Sequence, residues 1–272
     1  MSAHLHTSFE KAGLPLEVLD RPLFRGQGAG DIVQIDVARA RGERFRIFTG
    51  ASDNRVQVAN VDRALRQLVL MVHEPRRRFE TFVSNFRRRE LTAPPNAVRK
   101  VKTGWFVENF TVDRKRHFLA GMDEQHLFIA MLPAPATTVW SAHVLLRPEA
   151  VRNAERGAFE KTVRQGEWFF VSLAPRELAE VEAAAKGSLS KVRRDIGIAQ
   201  AAGIFRGGRP HVADEVLVLQ AVSGVGAAAN TRVYVRGRVR HPDHATVELR
   251  PWRRAIVNTE SFEQPQGIGF VD

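Results

Sequence analysis

The sequence predicts an α+β protein, mainly antiparallel β-strands with a few helices between about residues 139 and 202. Short apolar or alternating segments, each bounded by glycine, proline or polar residues, recur up to about residue 132 and again from about 215. Between them, Ala, Leu, Glu and Arg recur at helical spacing after a Pro133–Pro135 break. The break divides the chain into a β-rich region, 1–135, and an α+β region, 136–272, ending in a basic β-hairpin. Pattern alone leaves one domain or two equally open.

In chain order, 31–37 and 44–48 read as strands punctuated by Gly30, Gly42 and Gly50. Arg55–Val61 alternates, and Gln67–Val72 is a continuous apolar run of strand length, expected to be buried on both faces. Arg78–Val83 and Gly104–Val112 follow. His117–Leu119 and His126–Leu132 flank Gly121-Met122-Asp123-Glu124 at a spacing that suits a hairpin. Val139–Phe159 reads as helix broken at Pro148, which fits the first turn of a second helix with Glu149 beside it. Glu167–Leu173 is a strand opened by Gly166. Pro175–Lys186 is the clearest helix, with proline at its start and Gly187 as its stop. A further helix is expected over 190–202, then a Gly/Arg loop to Pro210, strand 215–220, a small-residue loop 224–230, and two closing strands.

The chain has 272 residues, 44% hydrophobic and 26% charged, enough for a substantial core. Its formal net charge is +11, with 41 Lys and Arg against 30 Asp and Glu; such a surplus attracts polyanions. The absence of cysteine excludes disulfides, thiolate metal sites and a cysteine nucleophile. No apolar run approaches the roughly 20 residues of a spanning helix. Residues 1–15 carry Glu10 and Lys11 and no apolar core of a signal peptide, so a cytoplasmic protein without membrane association is expected.

The basic surplus concentrates in Thr231–Arg240. Side chains alternate sides along a strand, so Arg232, Tyr234, Arg236, Arg238 and Arg240 share one face and Val233, Val235, Gly237 and Val239 the other. At roughly 6.6 Å between alternate residues, the charged row extends roughly 26 Å, with no acid on the strand itself. Ala245–Leu249 should return beside it. Matching the polar and apolar faces requires an odd number of turn residues, three or five; with five, Arg238 opposes Glu248, Val239 opposes Val247 and Tyr234 opposes Trp252. Tyr234 and Trp252 among Arg250, Arg253, Arg254 and the strand arginines read as stacking platforms with phosphate contacts, the physics of single-strand binding. Arg76, Arg77 and Arg78, Arg87, Arg88 and Arg89, and Lys100 with Lys102 extend the same expectation.

For chemistry, His241, His244 and His211, with Asp243 as orienter and Arg240 as phosphate clamp, contain an acid, a base and a cation for metal-independent phosphodiester cleavage. Glu167, between Gly166 and an aromatic run, is a candidate acid or base, or the partner of Arg164. Asp123 and Glu124 read as solvated turn residues. The histidines have no metal-ligand spacing along the chain, and no phosphate-binding glycine loop is present, so neither a metal nor another cofactor is expected. The sequence thus points first to a nucleic-acid-binding protein, for RNA or single-stranded DNA. A histidine-based ribonuclease or phosphoesterase and a homo-oligomeric nucleoprotein component are the alternatives.

Overall fold

The computed structural model describes residues 2–24, 30–84, 98–157, 162–187, 192–204, 209–221 and 230–260. The chain opens with a helix that the sequence patterns did not mark, α1 (Ser2–Lys11), whose Leu5 and Phe9, four apart on one face, are fully buried. The strands β1 (Leu16–Leu19), β2 (Gln34–Ala38) and β3 (Arg44–Phe48) form a small sheet in the order β1-β3-β2, with β1 parallel to β3.

A second sheet begins with the antiparallel pair β4 (Arg55–Asp62) and β5 (Gln67–Glu74). Next come β6 (Arg78–Ser84), β7 (Val98–Val101) and β8 (Gly104–Phe110), which pair as a separate antiparallel three-stranded sheet. The predicted hairpin is β9 (Arg114–Asp123) and β10 (His126–Met131), giving the order β10-β9-β5-β4. β5 is buried on both faces, as its continuous apolar run requires. Leu68, Leu70 and Val72 pack with α1 and the first sheet, and Val69 faces the opposite cluster.

That cluster is covered by α2 (Val139–Leu146), which Thr138 caps through a reciprocal bond with Ser141. Pro148 separates it from α3 (Glu149–Gly157). The remaining elements are β11 (Val163–Gln165), β12 (Trp168–Val171), α4 (Pro175–Lys186), β13 (Arg193–Gly197), α5 (Ile198–Ala202), β14 (Val212–Ala221), β15 (Asn230–His241) and β16 (His244–Val257). Their strands form a six-stranded antiparallel sheet, β11-β12-β16-β15-β14-β13. The single helix expected over 190–202 is instead a strand and a short helix. Arg193 and Arg194 extend the sheet edge by pairing with Val216 and Glu215, and only Ile198–Ala202 coils back onto the core. Among the described residues no helix is long and apolar enough to cross a membrane.

One face of the six-stranded sheet buries Val233, Val235 and Val239 with Trp168, Phe170, Leu249 and Ile198. The other buries Tyr234, Trp252 and Leu217 beneath Val181 of α4. In β15–β16, Arg238 opposes Glu248 and Val239 opposes Val247, as in the five-residue alternative. The turn itself has two residues, Pro242 and Asp243, and an irregularity between Val239 and His241 restores the matched faces. A second shift beside Gly237 sets Tyr234 opposite Arg254 rather than Trp252.

Candidate functional site

Strand register assembles three imidazoles at one corner of the six-stranded sheet. Val212 is opposite Arg240, so His211, one residue before it, falls beside His241; their rings stack with centroids 4.2 Å apart. His244 opposes His241 across the two-residue turn, with ring centroids 4.8 Å apart. One ligand-capable atom from each of the three lies within 4.8 Å of the others.

The turn between β11 and β12 closes over this corner. Gln165 is buried and donates from Nε2 to the carbonyls of Val239 and Ala245, at 3.1 and 2.6 Å, which fastens the turn to the hairpin. The next residue, Gly166, has φ +55°; a Cβ there would lie 2.8 Å from His244 Nε2 and 3.0 Å from His211 Nε2. Both Nε2 atoms therefore face the same small space above Gly166, which any larger residue would occupy. Behind the rings stand carboxylates. Glu167 Oε1 is 3.5 Å from His211 Nδ1, and Glu124 Oε1 is 3.9 Å from His244 Nδ1, the latter an electrostatic contact only. His241 accepts the Asp243 N–H at Nδ1 and directs Nε2 to the Arg209 carbonyl, each at 3.1 Å.

The surrounding pocket lies where the second sheet meets this corner. Arg39 binds Asp243 at 2.9 Å, Arg164 reaches Asp123 at 3.3 Å, and the Ala245 N–H donates to Glu124 at 2.8 Å. Its lining includes three arginines, Arg39, Arg164 and Arg209, against four carboxylates, Asp123, Glu167, Asp243 and Glu260. Burial alone would raise the Asp243 pKa, but the Arg39 hydrogen bond and charge hold it below the usual carboxylate range. Nearby His143 is pushed down chiefly by burial and donates from Nε2 to Gln67 Oε1 at 2.7 Å.

His211, His241, His244, Asp243 and Glu167 are thus brought together, though Glu167 faces His211 and not Arg164, which Asp123 and the Gly166 carbonyl occupy. Gly166, Glu124, Arg39, Arg164 and Arg209 were not among the sequence candidates. Arg240, the expected phosphate clamp, instead contacts Asp195 at 2.7 Å and Asp214 at 3.1 Å.

The basic strand is compensated by its neighbours. Arg236 pairs with Glu215 at 2.5 Å, Arg238 with Asp214 at 3.3 Å and Arg232 with Glu177 at 3.9 Å, acids supplied by β14 and α4. Arg250 pairs with Glu248 at 2.7 Å. Tyr234 and Trp252 are 2% and 1% exposed, so neither ring is a platform for a base; Tyr234 donates to Glu177, and Arg236 lies over the Trp252 ring. Arg253 is buried and donates to Ser172, while Arg254 is half-buried.

Of the other basic clusters, Arg77 grips Asp53 and Asn54, Arg78 pairs with Glu108, and Arg76 is exposed ahead of β6. Lys100 lies over the Trp105 ring at 5.4 Å, Arg99 over Phe106 at 4.7 Å, and Lys102 is exposed. Arg87, Arg88 and Arg89 lie outside the described residues. Comparison of the chain with protein-family models, curated proteins and solved structures finds no match.

Proposed function

We propose that the protein is a phosphoester-cleaving enzyme acting on nucleic acid or a related phosphodiester, with the pocket at His211, His241 and His244 as its catalytic centre. The observation that carries this reading is the convergence of two Nε2 atoms on one space above Gly166, with a carboxylate behind each ring. A carboxylate near Nδ1 favours a proton on that nitrogen, leaving the Nε2 lone pair directed into the space. One Nε2 takes a proton from a water held there as the water oxygen bonds to a phosphorus at the mouth. The opposite P–O ester bond breaks, and the leaving oxygen takes up the proton that the imidazole accepted. Arg209, more than half exposed, is the cation placed to meet the phosphate. The formal charge of +11 supplies long-range attraction for a polyanion.

Binding of single strands without cleavage is the second reading. It is favoured by the paired cations and rings on β7 and β8, Lys100 with Trp105 and Arg99 with Phe106. The two are separated by incubating the protein with labelled RNA, labelled single-stranded DNA and bis(p-nitrophenyl) phosphate, with divalent metals and with chelator. Cleavage that falls by about 100-fold or more in His244→Ala supports the enzyme, since positioned proton-transfer groups contribute about 10²–10⁴. Salt-sensitive binding with every substrate intact overturns it in favour of the binding module.

A further inference from the structure

We infer that His211, His241 and His244 hold a divalent transition-metal ion of the zinc class, in a site with an open coordination position. The inference rests on reading the pocket as functional and assigns the group that occupies it.

The ligand atoms are mutually within 4.8 Å. Zinc–imidazole bonds of about 2.0–2.1 Å would place the nitrogens of a tetrahedral set roughly 3.4 Å apart, so loading asks for a small inward closure. Two of the donors are already aimed. His211 Nε2 and His244 Nε2 flank the space that the missing Cβ of Gly166 leaves open. Histidine ligands ordinarily have a hydrogen-bond acceptor at the other ring nitrogen, and Glu167 and Glu124 stand on that side of their respective rings. The third donor must move further. His241 is stacked on His211 and engaged at both nitrogens, so it coordinates by releasing the Arg209 carbonyl and turning out of the stack.

Charge supports a cation. With neutral imidazoles, the four lining carboxylates exceed the three lining guanidinium groups by one. A divalent ion reverses that sign and makes the pocket attractive to phosphate. An all-imidazole set suits zinc, cobalt, nickel or copper better than magnesium or calcium, which prefer oxygen. Three protein ligands leave a fourth position for water, the arrangement of catalytic zinc sites rather than structural ones. The spacing of these ligands comes from strand register, which is why no metal motif is visible along the chain.

The test uses full-length protein without a histidine tag, stripped with chelator and titrated with zinc by calorimetry and with cobalt(II) by visible absorption. One ion per chain is expected, with the intense visible bands of a low-coordinate cobalt–imidazole complex. His244→Ala and His241→Ala should each weaken binding by at least about 100-fold, since loss of an outer-shell partner alone costs about 10–100-fold. Gly166→Ala fills the space without removing a ligand and should also abolish the site, while circular dichroism checks that each variant remains folded. His241 sits at the hairpin end, so its variant remains informative if His211 or Gly166 changes prevent folding. Absence of binding by the wild-type protein, or binding unchanged in folded His241→Ala and His244→Ala proteins, overturns the inference. A bound ion without phosphodiester cleavage leaves the metal site standing and removes the proposed activity. Cleavage by a protein that binds no ion does the reverse.

Discussion

Arg39, just beyond β2, and Asp243, in the turn between β15 and β16, are joined at 2.9 Å although 204 residues separate them in the chain. Asp243 lies between the hairpin histidines and also hydrogen-bonds through its own N–H to His241. The ion pair therefore fixes the position of the turn that carries two of the three imidazoles.

Replacing Asp243 with Asn should retain the turn and remove the carboxylate that pairs with Arg39 at 2.9 Å and with Arg209 at 3.7 Å, leaving Arg39 its weaker contact with Glu43. Both side chains are partly shielded, so we expect a loss of about 1 kcal/mol in denaturant unfolding, at the top of the range for exposed pairs. Arg39→Ala should have an effect of similar size, and the double variant should be less destabilised than the sum of the two. Strict additivity would show that the pair contributes nothing as a pair.

Trp252 separates a packed sheet face from a stacking surface. Because it is 1% exposed and enclosed with Tyr234, Leu217 and Val181, Trp252→Ala should destabilise the protein by about 3–5 kcal/mol. Tyr234→Phe removes the hydroxyl that donates to Glu177 and should cost about 1 kcal/mol. A Trp252→Ala protein of unchanged stability with weakened nucleic-acid binding would reverse this assignment.

Stability should decline in acid partly through Asp214. The Arg238 N–H bond, with the Arg238 and Arg240 charges, lowers its carboxyl pKa in the folded protein; Asp53 is lowered in the same direction, first by its bond to Arg77. A folded-state pKa below the unfolded value of about 3.9 stabilises the fold above that value. The contribution is lost as pH falls through the folded pKa. Melting temperatures of wild type and Asp214→Asn should therefore differ near neutrality and converge at low pH. A constant difference across the range would mean that the Asp214 charge is not the cause.

Local features of the fold were legible where neighbours in sequence decide the outcome. The chain turns between β9 and β10 at Glu124 and Gln125, with Glu124 at φ +53°, Pro148 divides α2 from α3, and Pro175 with Gly187 bounds α4. The arginine row was legible as a row and illegible as a charge. Two of its compensating acids, Asp214 and Glu215, sit on β14, where the β14–β15 pairing brings them to the arginines, and the others come from α4 and β13. One signal for the buried aromatics was present: Leu178, Val181 and Ala185 form an apolar stripe on α4 that requires an apolar partner, and Tyr234 with Trp252 provides it. The histidines were identifiable by type. Their meeting depended on the order β14-β15-β16, and the role of Gly166 depended on a turn folding over them.

The contact between Glu124 and the Ala245 N–H bridges 121 residues. During synthesis at about 5–20 residues per second, Glu124 emerges roughly 6–24 s before the backbone group it accepts from exists. The β5–β9–β10 strands can pair in that interval, while the corner carrying the imidazoles must wait for nearly the whole chain. Translation that stalls before the last hairpin yields a protein with much of its first core and without the corner where the three imidazoles meet.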